Sequence, residues 1–396
     1  MRWLPAENEL GSEQNNWLDN LTKTNDNESV IGFPGSGKTV LMVYAVIRLR
    51  KLNPNCRILI VEFTHALIKM LKASIDEVSK EESYKGLHID DIEIKTYYDF
   101  FDKDHSSYDY IICDEIQDVP KKVISAMKTR AKRVIIAGDP AQSIYTTDPQ
   151  WREPPSTLPE THDILSPHET KLTIIYRLTK RIINAVNSFL PNMKILAGRT
   201  SMIKTNVQIR IWKFPDQNYE VKQLMEEANS KANVNESVGI LLRTHDQIVS
   251  FANMALKAVH KPEWEIEKNK FDRNDYRSLN AHLKKNGINM QFVANGYGNF
   301  IDNERKITLT TYHSSKGLDF DVVILPFVNN STSTSEMGKR LFMVAMTRSR
   351  KDLYISFTSD SLNDNIKGFD KKDYIYKDWS NNLFSDSNND DDFDFE

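Results

Sequence analysis

Cysteine is nearly missing from this sequence: there are two, Cys56 and Cys113, each inside an apolar run. That usage excludes a disulfide framework or a cysteine-based zinc site, and it reads as small buried hydrophobes in a reducing compartment. No apolar run is long enough to span a membrane, and the stretch Met1–Asn8 has no apolar signal-peptide core. No segment recurs with a solenoid period. The expectation is a cytoplasmic protein without membrane contact. An excess of either charge is missing as well, with 52 basic against 55 acidic residues and a formal net charge of −3. Residues 386–396 hold six acidic groups and no basic one, so with those six set aside the remainder stands at +3. A near-neutral body neither argues for a nucleic-acid partner nor excludes one, because local basic patches supply that attraction.

What is present is the composition of an ordinary folded protein, 27% charged and 40% hydrophobic, in a chain of 396 residues, too long for one comfortable core. Strand-like apolar runs alternate with helical stretches from about residue 28. Ile58–Val61, Tyr110–Cys113 and Val134–Ala137 are continuous and apolar, as strands buried on both faces must be. This rhythm predicts an α/β protein with parallel, doubly wound sheets. The segment 146–167, rich in Pro, Thr, Ser and acidic residues, reads as a linker or surface excursion. A second alternation follows it, so the expected organisation is a first domain over 1–168, a second over 169–380 and an acidic disordered tail over 381–396.

Three segments carry chemistry. Gly32–Thr39 fits the phosphate-loop pattern between a strand and a helix, in which glycines turn backbone N–H groups onto phosphates. In that loop Gly32, Pro34, Gly35, Ser36 and Gly37 form the cradle, Lys38 neutralises the terminal phosphates, and the Thr39 hydroxyl ligates Mg²⁺. Asp114 and Glu115 end an apolar strand, which aims them at the crevice where open α/β sheets bind ligands. Asp114 is suited to hold Mg²⁺ through its water shell, and Glu115 to accept a proton from the attacking water. Gly138–Tyr145 ends the next strand and sends an Asp and a Gln to the same place.

With Phe63–Leu67, Lys95–Tyr98, Tyr176–Thr179, Thr311–Phe320 and Val344–Arg348, these segments stand in the order of the signature motifs of superfamily 1 helicases. The chain resembles the UvrD/Rep-like branch from about residue 10 to 357. That resemblance implies two RecA-like domains (the phosphate-loop NTPase fold) with ATP in the cleft, and an ATP-dependent, 3′→5′ DNA translocase or helicase. It gives Gln14 the adenine edge and Tyr176 the adenine face. It sends Arg177 from the second domain, and Arg348 from the last motif, to the γ-phosphate, completing the site that Lys38 begins. Gln142 becomes the γ-phosphate sensor, and Gly317 and Asp319 approach the nucleotide, Asp319 standing where the family usually has Glu.

The same resemblance lays a single-stranded DNA track over Phe63, Thr64, Thr96 and Tyr97, then Thr311, His313 and Ser314, with Tyr145 as a stacking aromatic. The family often places a Trp-Arg pair directly after that aromatic. Here Thr146 and Thr147 follow, and Trp151-Arg152 come later, so either a short insertion displaces the pair or the stacking wedge has been altered. The intervals Lys38–Asp114 and Arg177–Thr311 leave little room for inserted subdomains, His260–Asn286 being the one candidate remnant. A near-minimal motor results, and with it a second reading: a nucleic-acid-sensing NTPase switch within a repair or anti-phage assembly that unwinds little. The acidic tail, with Phe393 and Phe395 interleaved, reads either as a solubilising end or as an anchor for a protein partner.

Overall fold

The computed structural model describes residues 4–62, 65–148, 150–193, 199–200, 207–269, 274–294, 298 and 307–380. Phe63, Thr64 and the acidic tail, all given roles above, lie outside the described residues. The chain forms two compact units. The first comprises Met1–Leu178 with Met193–Lys204 and Asn299–Ile301, and the second comprises Thr179–Asn192, Thr205–Gly298 and Asp302–Glu396.

The first unit is a six-stranded parallel sheet. Its strands are β1 (Glu28–Gly32), β2 (Ile58–Glu62), β3 (Glu93–Thr96), β4 (Tyr108–Cys113), β5 (Ala131–Gly138) and β6 (His168–Leu172), in the order β3-β2-β4-β5-β1-β6. Period-two alternation divides each apolar run between two cores. Ile60, Ile112, Ile135 and Ala137 face one side, with the helices α1 (Ser12–Leu21), α2 (Lys38–Leu52) and α3 (His65–Ser79). Leu59, Val61, Ile111, Cys113, Val134 and Ile136 face the other, with α4 (Tyr97–Asp102), α5 (Lys121–Arg130) and α6 (Leu158–Leu165). Such two-sided burial, worth roughly 1.5–3 kcal/mol per large apolar side chain, is what a continuous apolar strand encodes. Both cysteines are buried and free.

Two boundaries differ from the sequence reading. The segment 146–167 is no linker: Ser156 N–H bonds to Val119 O at 2.9 Å, and α6 closes behind it. A capping box starts that helix, in which Thr157 Oγ1 accepts from Glu160 N–H and Glu160 Oε2 accepts from Thr157 N–H at 2.9 Å. β6 then pairs with β1, so the first unit runs on to Leu178, past the expected boundary at 168.

The second unit is a seven-stranded parallel sheet in the order Met290–Phe292, Ile307–Thr311, Val238–Leu242, Phe320–Leu325, Ser349–Phe357, Gln208–Lys213, Tyr374–Asp378. The stretch His260–Asn286 supplies the short antiparallel pair Glu267–Lys268 and Asn274–Asp275 and the helix Leu279–Lys285. It is packed rather than appended: Trp264 and Tyr276 are buried in the main core, and Trp264 Nε1 donates to Ser278 Oγ at 3.0 Å. Among the described residues, no helix is long and apolar enough to cross a membrane.

One buried group in this unit makes folding depend on pH. Glu220 is fully buried, and its Oε1 accepts from Phe327 N–H at 3.0 Å and from Ser356 Oγ at 2.5 Å. Oε2 has no hydrogen-bond partner among the described residues. Burial pushes the carboxyl up to about 7 from the ordinary 4.5, and the two hydrogen bonds only partly oppose it. The folded state therefore keeps a proton that the unfolded chain releases. Stability from this group is complete below 4.5 and is lost as pH rises toward and through 7, by on the order of 3 kcal/mol. Glu220→Gln keeps the accepting oxygen and cannot ionise. Between pH 5 and 8, urea unfolding of the variant should gain about 2 kcal/mol on the wild type. Parallel curves for the two proteins would remove Glu220 as the titrating group.

Candidate active site

The phosphate loop follows β1 and ends at the N-terminus of α2. Gly35 and Gly37 adopt φ of +77° and +88°, the left-handed region that glycine enters without strain. A Cβ at Gly35 would stand 2.6 Å from Arg177 Cβ, and one at Gly37 would stand 2.3 Å from Gln14 Nε2. Pro34 and Ser36 are buried beside them, and Ser36 Oγ has no hydrogen-bond partner among the described residues. Lys38 folds back on the loop, its Nζ donating to Gly32 O at 2.8 Å and to Phe33 O at 3.2 Å. The loop thus holds its cation ready on two of its own carbonyls.

Gln14 and Tyr176, the two residues assigned to adenine, gather at this loop. The Gln14 amide is engaged at both ends, with Oε1 accepting from Gly11 N–H at 3.0 Å and Nε2 donating to Ser36 O at 3.1 Å. In this conformation it braces the loop, and contact with a base requires one of these bonds to open. Tyr176 sits against Gly11, where any Cβ would lie 1.7 Å from its hydroxyl. That hydroxyl meets no partner among the described residues. The backbone N–H groups of Tyr176 and Arg177 both reach Gly35 O, at 2.8 and 3.2 Å. Arg177 therefore belongs to the first unit, beside the loop, and not to the second as the sequence reading had it. The cause is β6, which keeps the chain in the first sheet until just before Tyr176.

The acidic pair sits where β4 ends. Asp114 Oδ2 accepts from the Thr39 hydroxyl at 2.6 Å, so the two residues assigned to Mg²⁺ meet directly. Burial first, and then the Glu115 charge, push the Asp114 carboxyl up to about 6, against the pull of Thr39 and Lys38. Glu115 has φ of +53°, a strained backbone for a residue with a side chain. From it runs an unbroken line of hydrogen bonds. Gln117 Nε2 donates to Glu115 Oε2 at 2.6 Å, Asp139 N–H donates to Gln117 Oε1 at 2.9 Å, and Gln142 Nε2 donates to Asp139 Oδ2 at 2.9 Å. Gln117, Asp139 and Gln142 are all buried. Sequence reasoning gave Gln117 no role. Its place two residues past Glu115, in a strand-ending turn, was the available signal.

The first-domain strand contacts come out differently. Thr96 is buried and caps α4, accepting from Asp99 N–H at 3.1 Å and donating to Asp99 Oδ2 at 2.9 Å. Tyr97 is wholly buried, its hydroxyl bound to Asp148, so its ring belongs to the core and offers no face for stacking. Tyr145 is half-buried and lines a cavity of about 430 Å³ with Gln117, Pro140, Ser143, Pro154 and Leu158. The delayed Trp151 does not stand in for the family's wedge. Its ring packs on Tyr98 and Phe101, with centroids 4.9 and 5.4 Å away, under Lys122 Nζ at 3.9 Å.

In the second unit, Thr311 closes its strand, and its Oγ1 accepts from Ser314 N–H at 3.1 Å and lies 3.0 Å from Ser314 Oγ. His313 beside them is half-buried. Burial, reinforced by His245 and Lys316, holds its imidazole below the ordinary range. Gly317 takes φ of +81° in the turn before the half-buried Asp319. Arg348 is buried at the C-terminal end of helix Glu336–Met346, its Nε donating to Val344 O at 2.9 Å and Nη2 to Thr347 Oγ1 at 3.2 Å. Cations are favoured at that end of a helix.

The residues present fit a magnesium nucleotide: a glycine cradle that side chains would fill, a buried Ser36 hydroxyl with no partner among the described residues, and Thr39 already on Asp114. The family model for a UvrD-like helicase C-terminal domain matches residues 285–360, and one for an AAA domain matches residues 18–148. Two solved structures are similar at low identity. The C-terminal domain of a possible DNA helicase from Lactobacillus plantarum WCFS1 aligns at TM-score 0.35 and 14% identity, over 51% of this chain and 98% of that one. The arterivirus nonstructural protein 10 helicase, in complex with DNA, aligns at TM-score 0.43 and 16% identity, over 89% of this chain and 65% of that one. No curated protein matches the chain. The two family models take in the phosphate loop and acidic pair on one side and Thr311–Arg348 on the other, and together they support a UvrD-like superfamily 1 helicase with two RecA-like domains.

Proposed function

We propose that the chain is an ATP-driven, Mg²⁺-dependent translocase on single-stranded DNA, moving 3′→5′, in which hydrolysis is coupled to the grip on the strand. The observation that carries this reading is the line Thr39–Asp114–Glu115–Gln117–Asp139–Gln142, which ties the metal-side hydroxyl to the segment ending at Tyr145. Thr39 and Asp114 would hold Mg²⁺, whose charge offsets that of the phosphates. Lys38 leaves its loop carbonyls for the phosphate oxygens. Glu115 takes the proton of the attacking water. Arg177 and Arg348 add positive charge as the leaving oxygens develop theirs.

A second reading, the nucleic-acid-sensing switch, draws on one observation: Trp151 is packed away on Tyr98 and Phe101. A motor without that wedge hydrolyses and grips, yet separates strands poorly.

Hydrolysis measured with and without single-stranded DNA or RNA, beside unwinding of duplexes bearing either overhang, separates the readings. The motor predicts stimulation by DNA and displacement from a 3′ overhang, and the switch predicts stimulation without displacement. Lys38→Ala should lower hydrolysis about a hundredfold or more in either case. Absence of hydrolysis in the wild type with Mg²⁺ and DNA sinks both.

A further inference from the structure

Gln117 is a buried side chain of the acidic motif that also reaches the Asp139–Tyr145 motif. Its two ends are chemically distinct. A backbone N–H only donates, so Oε1 must face Asp139, which leaves Nε2 to face Glu115. The distances agree, at 2.6 Å to Glu115 Oε2 and 2.9 Å from Asp139 N. The neighbouring backbone is shaped around this amide. At Gly138 a Cβ would stand 2.6 Å from Gln117 Oε1 and 2.7 Å from Ile116 Cγ2, so only glycine lets the amide come this close.

We propose that Gln117 is a positioning residue for hydrolysis: it orients the Glu115 carboxylate and transmits to it the position of the Asp139–Tyr145 segment. Glu115 rests on a backbone with φ of +53°, so its side chain is aimed by a strained turn and needs a lateral tie to stay aimed. The Gln117 donor fixes one of its oxygens. On the other side, the backbone amide that Gln117 accepts belongs to Asp139, and the Asp139 carboxylate accepts from Gln142 and from Ala141 N–H. A shift of Gln142 or Tyr145 on engaging a strand moves Asp139, and Gln117 has no slack with which to absorb that movement. The general base is thereby re-aimed from the strand side. Gln117 also lines the cavity beside Tyr145, so the same amide borders the space in which that ring is held.

The inference rests on the chain being a strand-stimulated ATPase, and the experiment keeps the two claims apart. Gln117→Met preserves length and removes both hydrogen bonds. Gly138→Ala leaves Gln117 in the chain and displaces it from the other side. Each is purified beside the wild type and assayed for affinity toward a fluorescent ATP analogue, and for kcat and KM with and without single-stranded DNA. Both variants should bind the analogue within threefold of wild type and keep KM for ATP, while stimulated kcat falls about tenfold to a hundredfold. The ratio of stimulated to basal rate should fall with it. Stimulated kcat and stimulation ratio within twofold of wild type in Gln117→Met overturn the inference, as does a loss of kcat matched by an equal loss of analogue binding. A wild type without hydrolysis removes the functional reading itself.

Discussion

Glu115→Gln should abolish turnover while leaving nucleotide binding in place, with kcat lower by about a thousandfold, the span that a positioned general base commonly supplies. Glutamine keeps the volume of Glu115 and an oxygen that can accept from Gln117 Nε2, so the line toward Asp139 survives. Only the capacity to take a proton is lost. Analogue binding within a fewfold of wild type would accompany the loss, because the phosphate loop, Lys38, and the Thr39–Asp114 contact at 2.6 Å stand on other atoms. Asp114→Asn makes the contrast: it weakens the Mg²⁺ dependence itself, so its defect should be partly recovered at high Mg²⁺, whereas that of Glu115→Gln should not. A Glu115→Gln enzyme that retains a tenth of wild-type turnover would move the general base to another residue.

The parts of this fold that could be read from sequence are those whose physics is local. β2, β4 and β5 announce themselves as continuous apolar runs because both of their faces are covered, and the phosphate loop does so because backbone N–H groups can turn inward only where glycine allows it. The Asp114–Glu115 pair is legible from its place at a strand end. What could not be read are the choices made between distant residues. Tyr97 looks like a stacking aromatic in a motif, yet Asp148, some fifty residues on, takes its hydroxyl and turns the ring inward. Arg177 looks like a second-domain residue, but β6 pairs beside β1 and keeps it with the first. Gln117 takes its meaning from Asp139, a residue of another strand end. In each case one long-range hydrogen bond or strand pairing decided what the local pattern had left open.

Asp148→Ala should be among the most damaging substitutions to folding that leave the phosphate loop untouched. Asp148 is almost wholly buried, and its carboxylate accepts from both the Tyr97 and Tyr98 hydroxyls. It also accepts from Gln150 N–H at 2.9 Å and from Trp151 N–H at 2.5 Å. Truncation strands two backbone amides and one phenolic hydroxyl, the Tyr97 hydroxyl keeping the Tyr98 oxygen as an acceptor at 2.9 Å, in a partly buried place. Each such donor costs about 1–3 kcal/mol when left unpaired. The gain from no longer burying a carboxylate offsets part of this, so the net loss should be about 3–5 kcal/mol, near the upper end for single substitutions. Asp148→Asn keeps one accepting oxygen and turns donors against donors at the other, so it should fall between the variant and the wild type. Urea unfolding followed by tryptophan emission reports both the midpoint and the release of Trp151 from Tyr98, Phe101 and Lys122, with emission shifting red before global unfolding. Below the transition, basal hydrolysis should persist, because the Asp148 carboxylate accepts from Tyr97, Tyr98, Gln150 and Trp151, whereas Thr39 and Gln117 bond to Asp114 and Glu115. Stimulation by single-stranded DNA should drop, because residues 146–153 lead directly from Tyr145. A variant that unfolds at the wild-type midpoint would mean that the stranded donors find other acceptors, and that Asp148 does not hold Trp151 in place.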